Sequence, residues 1–574
     1  MEPSFTALRG IALLPVIAGL MLTATSATEP DRPRTAGEMV EVALRLGIEG
    51  DHADRRELLE SALKQMPDYG PARWHSGYVQ YGDAWLKFDE LPDLMAGDQR
   101  LSDYRRLRAD TRETAAGHLA LAQWCLEHEL LARSRGHLGR ALDLDPENRE
   151  ARRLVRDEFP DDVLAPRQEP GARQAALRKW EPRIESILRG LSHASKRQRQ
   201  TARERLLAID DPEAIPALEA VFASHGGFVA SLTLDVLAGM PTPEVSLALA
   251  RQAVFSGSKE TRKAAAGRLD SRDLFSYIPA LLEALRTPIE SPIELAWGPD
   301  HEEDFPRLTA RAPVSEATVA EHNARIEDRN GRICRVLSLV TGRELGTSPE
   351  AWWKWWDEYN EVFVPDDRPF SGGTLKFSRA DGYQLWNHQG VPYARRPGGT
   401  WYRHEEGRTW VMPPGESWSE WKPRASCLVA GTLVWSDAGP RPIEQIQVGD
   451  LVLSQSPETG ELAYKPVVNT TVRPPVRMVK IVFGGRSLQS SGGHPFWVTG
   501  KGWVFARDLE EGVPLHTVDG TAPVRSVHPT GTEELHNLVV ADFHTYFVTE
   551  AKILTHDNTM REPTTALVPG LASR

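Results

Sequence analysis

A chain of 574 residues is too long for one hydrophobic core, because single cores stop growing near about 250 residues, so several domains are expected. With 40% hydrophobic and 26% charged residues the composition is that of a globular protein. The formal net charge of −12 argues against nucleic acid as the default partner, since phosphate binding needs concentrated positive charge and no basic patch reverses that balance.

Residues 1–27 read as an export signal. Arg9 supplies the positive start, "IALLPVIAGLML" (11–22) is an apolar run broken by Pro15 and Gly19, and small residues lead to Ala27 before the polar "TEPDRPR". That run falls short of the about 20 apolar residues a membrane span needs. The alternative is an uncleaved N-terminal anchor. Either reading puts the bulk of the chain in the periplasm, outside the cell or at its surface, with no stable membrane span once the signal is removed.

Residues 35–160 have a helical pattern. In "GHLALAQWCLEHELLARSRGHLGRALDLDPEN" (117–148) the order of Leu121, Ala122, Leu138, Ala141 and Pro146 resembles a tetratricopeptide repeat, although His118 and Cys125 replace its usual Trp and Tyr. "LLESALKQMPDY" (58–69) closes similarly, with Leu59, Ala62 and Pro67. Such helix pairs bury their faces only by stacking on neighbours. After the acidic, proline-containing break "EFPDDVLAPRQEPGA" (158–172), residues 175–363 are again helical in pattern. "DDPEAIPALEAVF" (210–222) and "DSRDLFSYIPALLEAL" (270–285) share an Ile-Pro-Ala-Leu core, each after an Arg/Ala-rich helix. They resemble HEAT-type repeats, with an ordinary helical bundle as the alternative. An α-solenoid of this kind implies a protein partner. "EAWWKWWDEYNEVF" (350–363) puts Trp352 on one helical face with Trp355 and Trp356, which predicts a capping or docking surface.

Residues 364–424 lose the helical period and fill with Gly, Pro and aromatic residues, which fits a linker or a small β segment. From Cys427 onward, short alternating strands bounded by turn residues predict an all-β module.

The chain has three cysteines. Cys125 and Cys334 sit in apolar helical patterns, where cysteine is a small core residue. Cys427 does not. It opens the block "CLVAGTLV" (427–434), followed in order by "IEQIQVGDLVLS" (443–454), "SGGHPFWV" (491–498), "LHNLVVADFHTYFV" (535–548) and "ILTHDN" (553–558). On these blocks, residues 425–558 resemble the Hint module shared by inteins, hedgehog autoprocessing domains and pretoxin-type proteins. The resemblance implies an intein-like horseshoe of β-strands and a single-turnover self-cleavage, not a turnover enzyme, and leaves 559–574 as a C-terminal tail.

The residue chemistry agrees. A Cys427 thiolate can attack the carbonyl of its own preceding peptide bond, Ser426–Cys427, to give a labile thioester. The departing amide nitrogen must be protonated, and an imidazole supplies that proton near neutral pH. His494 stands at the family's Thr-x-x-His position, with a turn residue stiffened by Pro495 as the alternative. Ser491 keeps the hydroxyl of the family's threonine and is expected to hold the scissile amide or its oxyanion.

His544 matches the family's late histidine. Asn537 stands where many inteins carry an activating aspartate. Asp542, two residues before His544, shares its face if both lie in a strand; it either substitutes for that aspartate or is a solvated loop carboxylate. Splicing inteins end in His-Asn followed by Cys, Ser or Thr. Here Asn558 and Thr559 are in place, but Asp557 intervenes and displaces His556 by one residue, to the opposite strand face. Self-cleavage at Ser426–Cys427, extended to splicing if the far junction works, is therefore the first reading. A binding scaffold with a decayed Hint module is the second. The spacing of His516, His528, His536 and His556 matches no zinc-ligand pattern, and no metal or cofactor is expected.

Overall fold

In the computed structural model the described residues are 34–82, 84–145, 148–159, 172–224, 227–285, 316–360, 427–559 and 561–572, with short strands between 370 and 420. The expected export signal, Pro146 and Ser426 lie outside them. Among the described residues no helix is long and apolar enough to cross a membrane.

The N-terminal region is helical. Thr35 and Glu38 form a reciprocal capping box at the start of helix Ala36–Glu49, and Gly50, at φ 87°, ends it. That box satisfies two of the orphan N–H groups every helix start exposes. Asp51 then caps helix His52–Gln65, and the two helices close over Val40, Leu44, Leu59 and Ala62. Helices Ala115–Glu127 and Leu131–Leu144 form a second pair, with Leu121, Ala122, Leu138 and Ala141 buried as their spacing predicts. Between the pairs the chain departs from the helical expectation. Tyr78–Tyr81 and Ala84–Lys87 form a β-hairpin. The cause is local: Gly82 takes a positive φ of 58°, which suits a two-residue hairpin turn.

A second helical body runs from Ala172–Leu191 to Pro349–Asn360. Its tryptophans do not form an open docking surface. Trp352, Trp353 and Trp356 are buried in the same core as Ile278 and Leu337, and Trp356 packs on Phe275 at 4.9 Å between ring centroids. The following segment is a β structure: five strands from Gln384–His388 to Ser419–Glu420 pair in sequential order.

The C-terminal module is one 12-stranded antiparallel sheet. Two long strands, Leu462–Phe483 and Gly520–Val540, pair with each other from Val467↔Val540 to Phe483↔Val524. Their register shifts between Arg473 and Val476, where Pro474 and Pro475 cannot donate ladder hydrogen bonds. The short strand Leu428–Val429 is seated between Arg486–Ser491 and Gly520–Val540, with Leu428 opposite Ser490 on one side and His536 on the other. This places Cys427 beside residues more than sixty positions away in sequence. Nor are the last residues a loose tail: Ala566–Val568 and Leu571–Ala572 pair as a hairpin, and Val568 and Leu571 complete the core of the first two helices.

Candidate active site

The site is built where strand Leu428–Val429 meets the turn after Arg486–Ser491. Cys427 is fully buried, packed with Met478 and Leu535. Its amide N–H donates to Ser491 Oγ at 3.1 Å, and its carbonyl accepts the Ser491 amide at 2.9 Å. The nitrogen held by Ser491 is the one on the far side of the Ser426 carbonyl, the leaving nitrogen of the expected cleavage. Of the two roles open to Ser491, the geometry supplies the first: it holds the amide.

Ser491 also fixes the imidazole. Its carbonyl accepts the His494 amide at 3.2 Å, closing a turn through Gly492 and Gly493, and the His494 carbonyl accepts from Ala506 at 2.8 Å. The ring is wholly buried. Its Nε2 lies 2.7 Å from Thr555 Oγ1, and the same hydroxyl lies 2.7 Å from the Pro495 carbonyl. A carbonyl only accepts, so the single hydroxyl hydrogen goes to Pro495, and Nε2 must be the protonated nitrogen facing Thr555. In the neutral ring Nδ1 is then the unprotonated nitrogen.

Asn537 acts as an acceptor. Its Oδ1 takes the Tyr546 hydroxyl at 2.6 Å and the Leu538 amide at 2.7 Å. Burial, then the neighbouring Cys427 and Asp557, push the Tyr546 hydroxyl well above its ordinary pKa, so it stays a donor. Asp542 does not stand in for the aspartate. It and His544 lie in a turn, with φ of 67° and 53°, so strand alternation does not bring them together. Asp542 turns instead to Arg135 and, at 3.1 Å, to Lys465. Burial would raise its carboxyl, but these two cations outweigh burial and hold it below the usual carboxylate range.

The far junction is organised by Asp557, which is fully buried. One carboxylate oxygen accepts the Val540 amide at 2.8 Å and faces His544 Nδ1 at 3.2 Å. The other accepts the amide of Thr559 at 2.8 Å and also its hydroxyl. Burial opposes ionisation of Asp557, yet His544 outweighs it and lowers its pKa. Reciprocally, burial disfavours the charged His544 ring, and Asp557 outweighs that and raises it. His556 is different: burial drives its pKa down to about 4, so the ring is neutral at pH 7. Its Nδ1 lies 3.1 Å from the carbonyl oxygen of Asp557, one residue before the carbonyl that asparagine cyclisation would attack. The Asn558 side-chain amide donates to Thr471 Oγ1 at 3.0 Å, and its backbone amide donates to the Leu538 carbonyl at 2.8 Å.

The fold thus gathers Cys427, Ser491 and His494, and sets His544, His556, Asn558 and Thr559 around Asp557; Thr555 links the two groups, its hydroxyl on His494 and its strand leading into Asp557. Sequence reasoning missed Thr555, Tyr546 and Thr471. The only sequence signal for the first two is their place in "ILTH" and "TYFV", beside residues already singled out. The other two cysteines are buried, and burial pushes the Cys125 thiol up to about 12 and the Cys334 thiol up to about 11. Among the described residues no group of three His, Cys, Asp or Glu side chains is placed to hold a metal ion.

Residues 433–558 match the pretoxin HINT domain family, and the C-terminal module is a Hint domain. Solved structures similar to it include a bacterial intein-like domain from Clostridium thermocellum, 34% identical over 23% of this chain and 97% of that one, with a TM-score of 0.22. The gp41-1 intein is 28% identical over 23% of this chain and 98% of its own, with a TM-score of 0.20. A DnaB intein from Synechocystis sp. PCC 6803 is 16% identical over 23% and 99%, with a TM-score of 0.21. No curated protein matches this chain.

Proposed function

We propose that the Hint domain cleaves its own backbone once, between Ser426 and Cys427, in an exported protein whose helical region also offers surface to a protein partner. His494 Nδ1 takes the Cys427 thiol proton, and Sγ attacks the Ser426 carbonyl carbon. The C–N bond breaks as Nδ1 passes that proton to the leaving nitrogen, and a thioester with a free Cys427 amine remains. Water or a thiol then attacks the thioester, leaves an acyl product at Ser426 and returns the Cys427 thiol.

The observation that carries this reading is the pairing of the Cys427 amide with Ser491 Oγ at 3.1 Å, on the same turn that fixes His494. The Hint family match supports autoprocessing in general, and the N-terminal sequence pattern supports export. Cleavage confined to the first junction is favoured by the position of His556, which faces the Asp557 carbonyl and not that of Asn558. The test is intact mass of purified full-length protein incubated with and without an added thiol. A thiol-accelerated pair of fragments meeting at 426/427 supports the reading. An unchanged full-length mass under both conditions favours the decayed scaffold.

A further inference from the structure

The helical region and the Hint domain are joined through residues 361–426, and among the described residues they also meet directly, far from that connection in sequence. Gly449, in the turn between Ile443–Gln445 and Leu451–Gln455, has φ 83°, and a Cβ there would fall 2.2 Å from Tyr104 Oη and 2.5 Å from His137 Nε2. On the opposing helix Leu131–Leu144, a Cβ on Gly136 would meet the Val467 carbonyl at 3.0 Å and Gly449 Cα at 3.3 Å. Glycine on both sides lets the two backbones approach to a distance that side chains would forbid.

Around that contact the charges are paired and buried. Arg133, 3% exposed, donates to the Gly449 carbonyl at 2.8 Å and to the buried Asp437. Arg108 donates to Asp450 at 2.6 Å. The apolar cores are also shared. Val79 and Phe88 of the helical region pack in one cluster with Trp497, Phe547 and Leu554 of the Hint domain, and Phe505 joins the tryptophan core of the second helical body. Arg561 lies over the Phe275 ring at 3.9 Å and bonds Asp273 at 3.2 Å. Separating the two parts would expose all of this apolar surface at once. Interfaces built like a core cut in half are the obligate kind.

We infer that self-cleavage yields a nicked protein and not two free fragments: the helical region is the standing partner of its own Hint domain and keeps it bound after the 426/427 bond is broken. This rests on the proposed cleavage only for how the cut is made. The new acyl terminus at residue 426 then stays tethered to the particle that carries the Hint domain.

The experiment reads cleavage and association separately on the same sample. Denaturing gel or intact mass reports the cut, and size exclusion with light scattering under native conditions reports the particle. The expected result is two chains when denatured and one particle, of the mass of the uncleaved protein, when native. Fragments that elute separately overturn the inference. A second chain, Cys427→Ala with a specific protease site replacing residues 421–425, after the last strand of the five-stranded sheet, is cut by added protease and measured in the same way. There a single particle supports the inference even if the wild type does not cleave itself, and separation overturns it.

Discussion

The amide of Cys427 and the hydroxyl of Ser491 meet at 3.1 Å, and this one hydrogen bond holds the nitrogen that leaves in the proposed cleavage. The carbonyl of the same residue accepts the amide of His494, the proposed proton donor. Ser491→Thr keeps the oxygen and is expected to cleave within a few-fold of wild type. Ser491→Ala loses one hydrogen bond worth about 1 kcal/mol, so cleavage should slow by about fivefold to tenfold. The check is a time course of fragment appearance on denaturing gels.

His494→Ala removes the proton donor, a loss that typically costs about 10²–10⁴-fold, and should slow cleavage far more than Ser491→Ala does. Thr555→Val leaves the ring but removes the oxygen that fixes its tautomer, and an intermediate slowing is expected. Equal, negligible effects in single-exponential fits of the same time course would take the imidazole out of the mechanism.

At the far junction the wild-type protein is expected to keep residues 427–574 as one piece, since His556 faces the carbonyl of Asp557 and the Asn558 side chain is held by Thr471. Deleting Asp557 restores the His-Asn order and is expected to start cleavage before Thr559. Mass of the C-terminal fragment from both proteins decides it. A wild-type fragment ending at Asn558 would show that the junction works as it stands.

The His544–Asp557 contact gives a pH dependence with a definite sign. His544 is raised, so its contribution to stability is whole below about 6.5, its unfolded value, and is lost as pH rises through the higher folded value. Asp557 is lowered, so its contribution is whole above about 3.9, its unfolded value, and is lost as pH falls through the lower folded value. The junction should be most ordered in the mildly acidic window between. Protection of the Val540 and Thr559 amides, both bonded to Asp557, taken as the exchange rate relative to the intrinsic rate at each pH, should be highest there. Protection that is flat from pH 5 to 8 (about the range in which histidine titrates) would contradict the pairing.

Arg133 and Asp437 test the contact between the two parts of the chain. Arg133→Ala leaves Asp437 buried without its cation, which typically costs about 3–5 kcal/mol. The urea midpoint should fall accordingly. Arg135→Ala, whose partner Asp542 is only partly buried and also pairs with Lys465, should cost less than the Arg133 change.

What the sequence made legible were features encoded over a few residues. Cys427, the "SGGH" turn and the "HDN" ending are local patterns, and helix spacing foretold which faces of 115–127 and 131–144 are buried. Thr555 and Thr471 were not legible, because each meets its partner only when the sheet brings strands sixty or more residues apart into register. The hairpin at 78–87 was overlooked because its strands are short enough to pass as irregular helix. Strand alternation failed for Asp542 and His544 because both residues take left-handed backbone angles, which no two-residue pattern announces. The docking of 561–572 onto the first helices is likewise a long-range apolar match.

The most direct test of the central claim is the intact mass of the purified wild type beside its three cysteine variants. The expected result is fragments meeting at 426/427 for wild type, Cys125→Ala and Cys334→Ala, and a full-length chain for Cys427→Ala. A Cys427→Ala protein that still breaks between 426 and 427 would contradict the thiol mechanism outright.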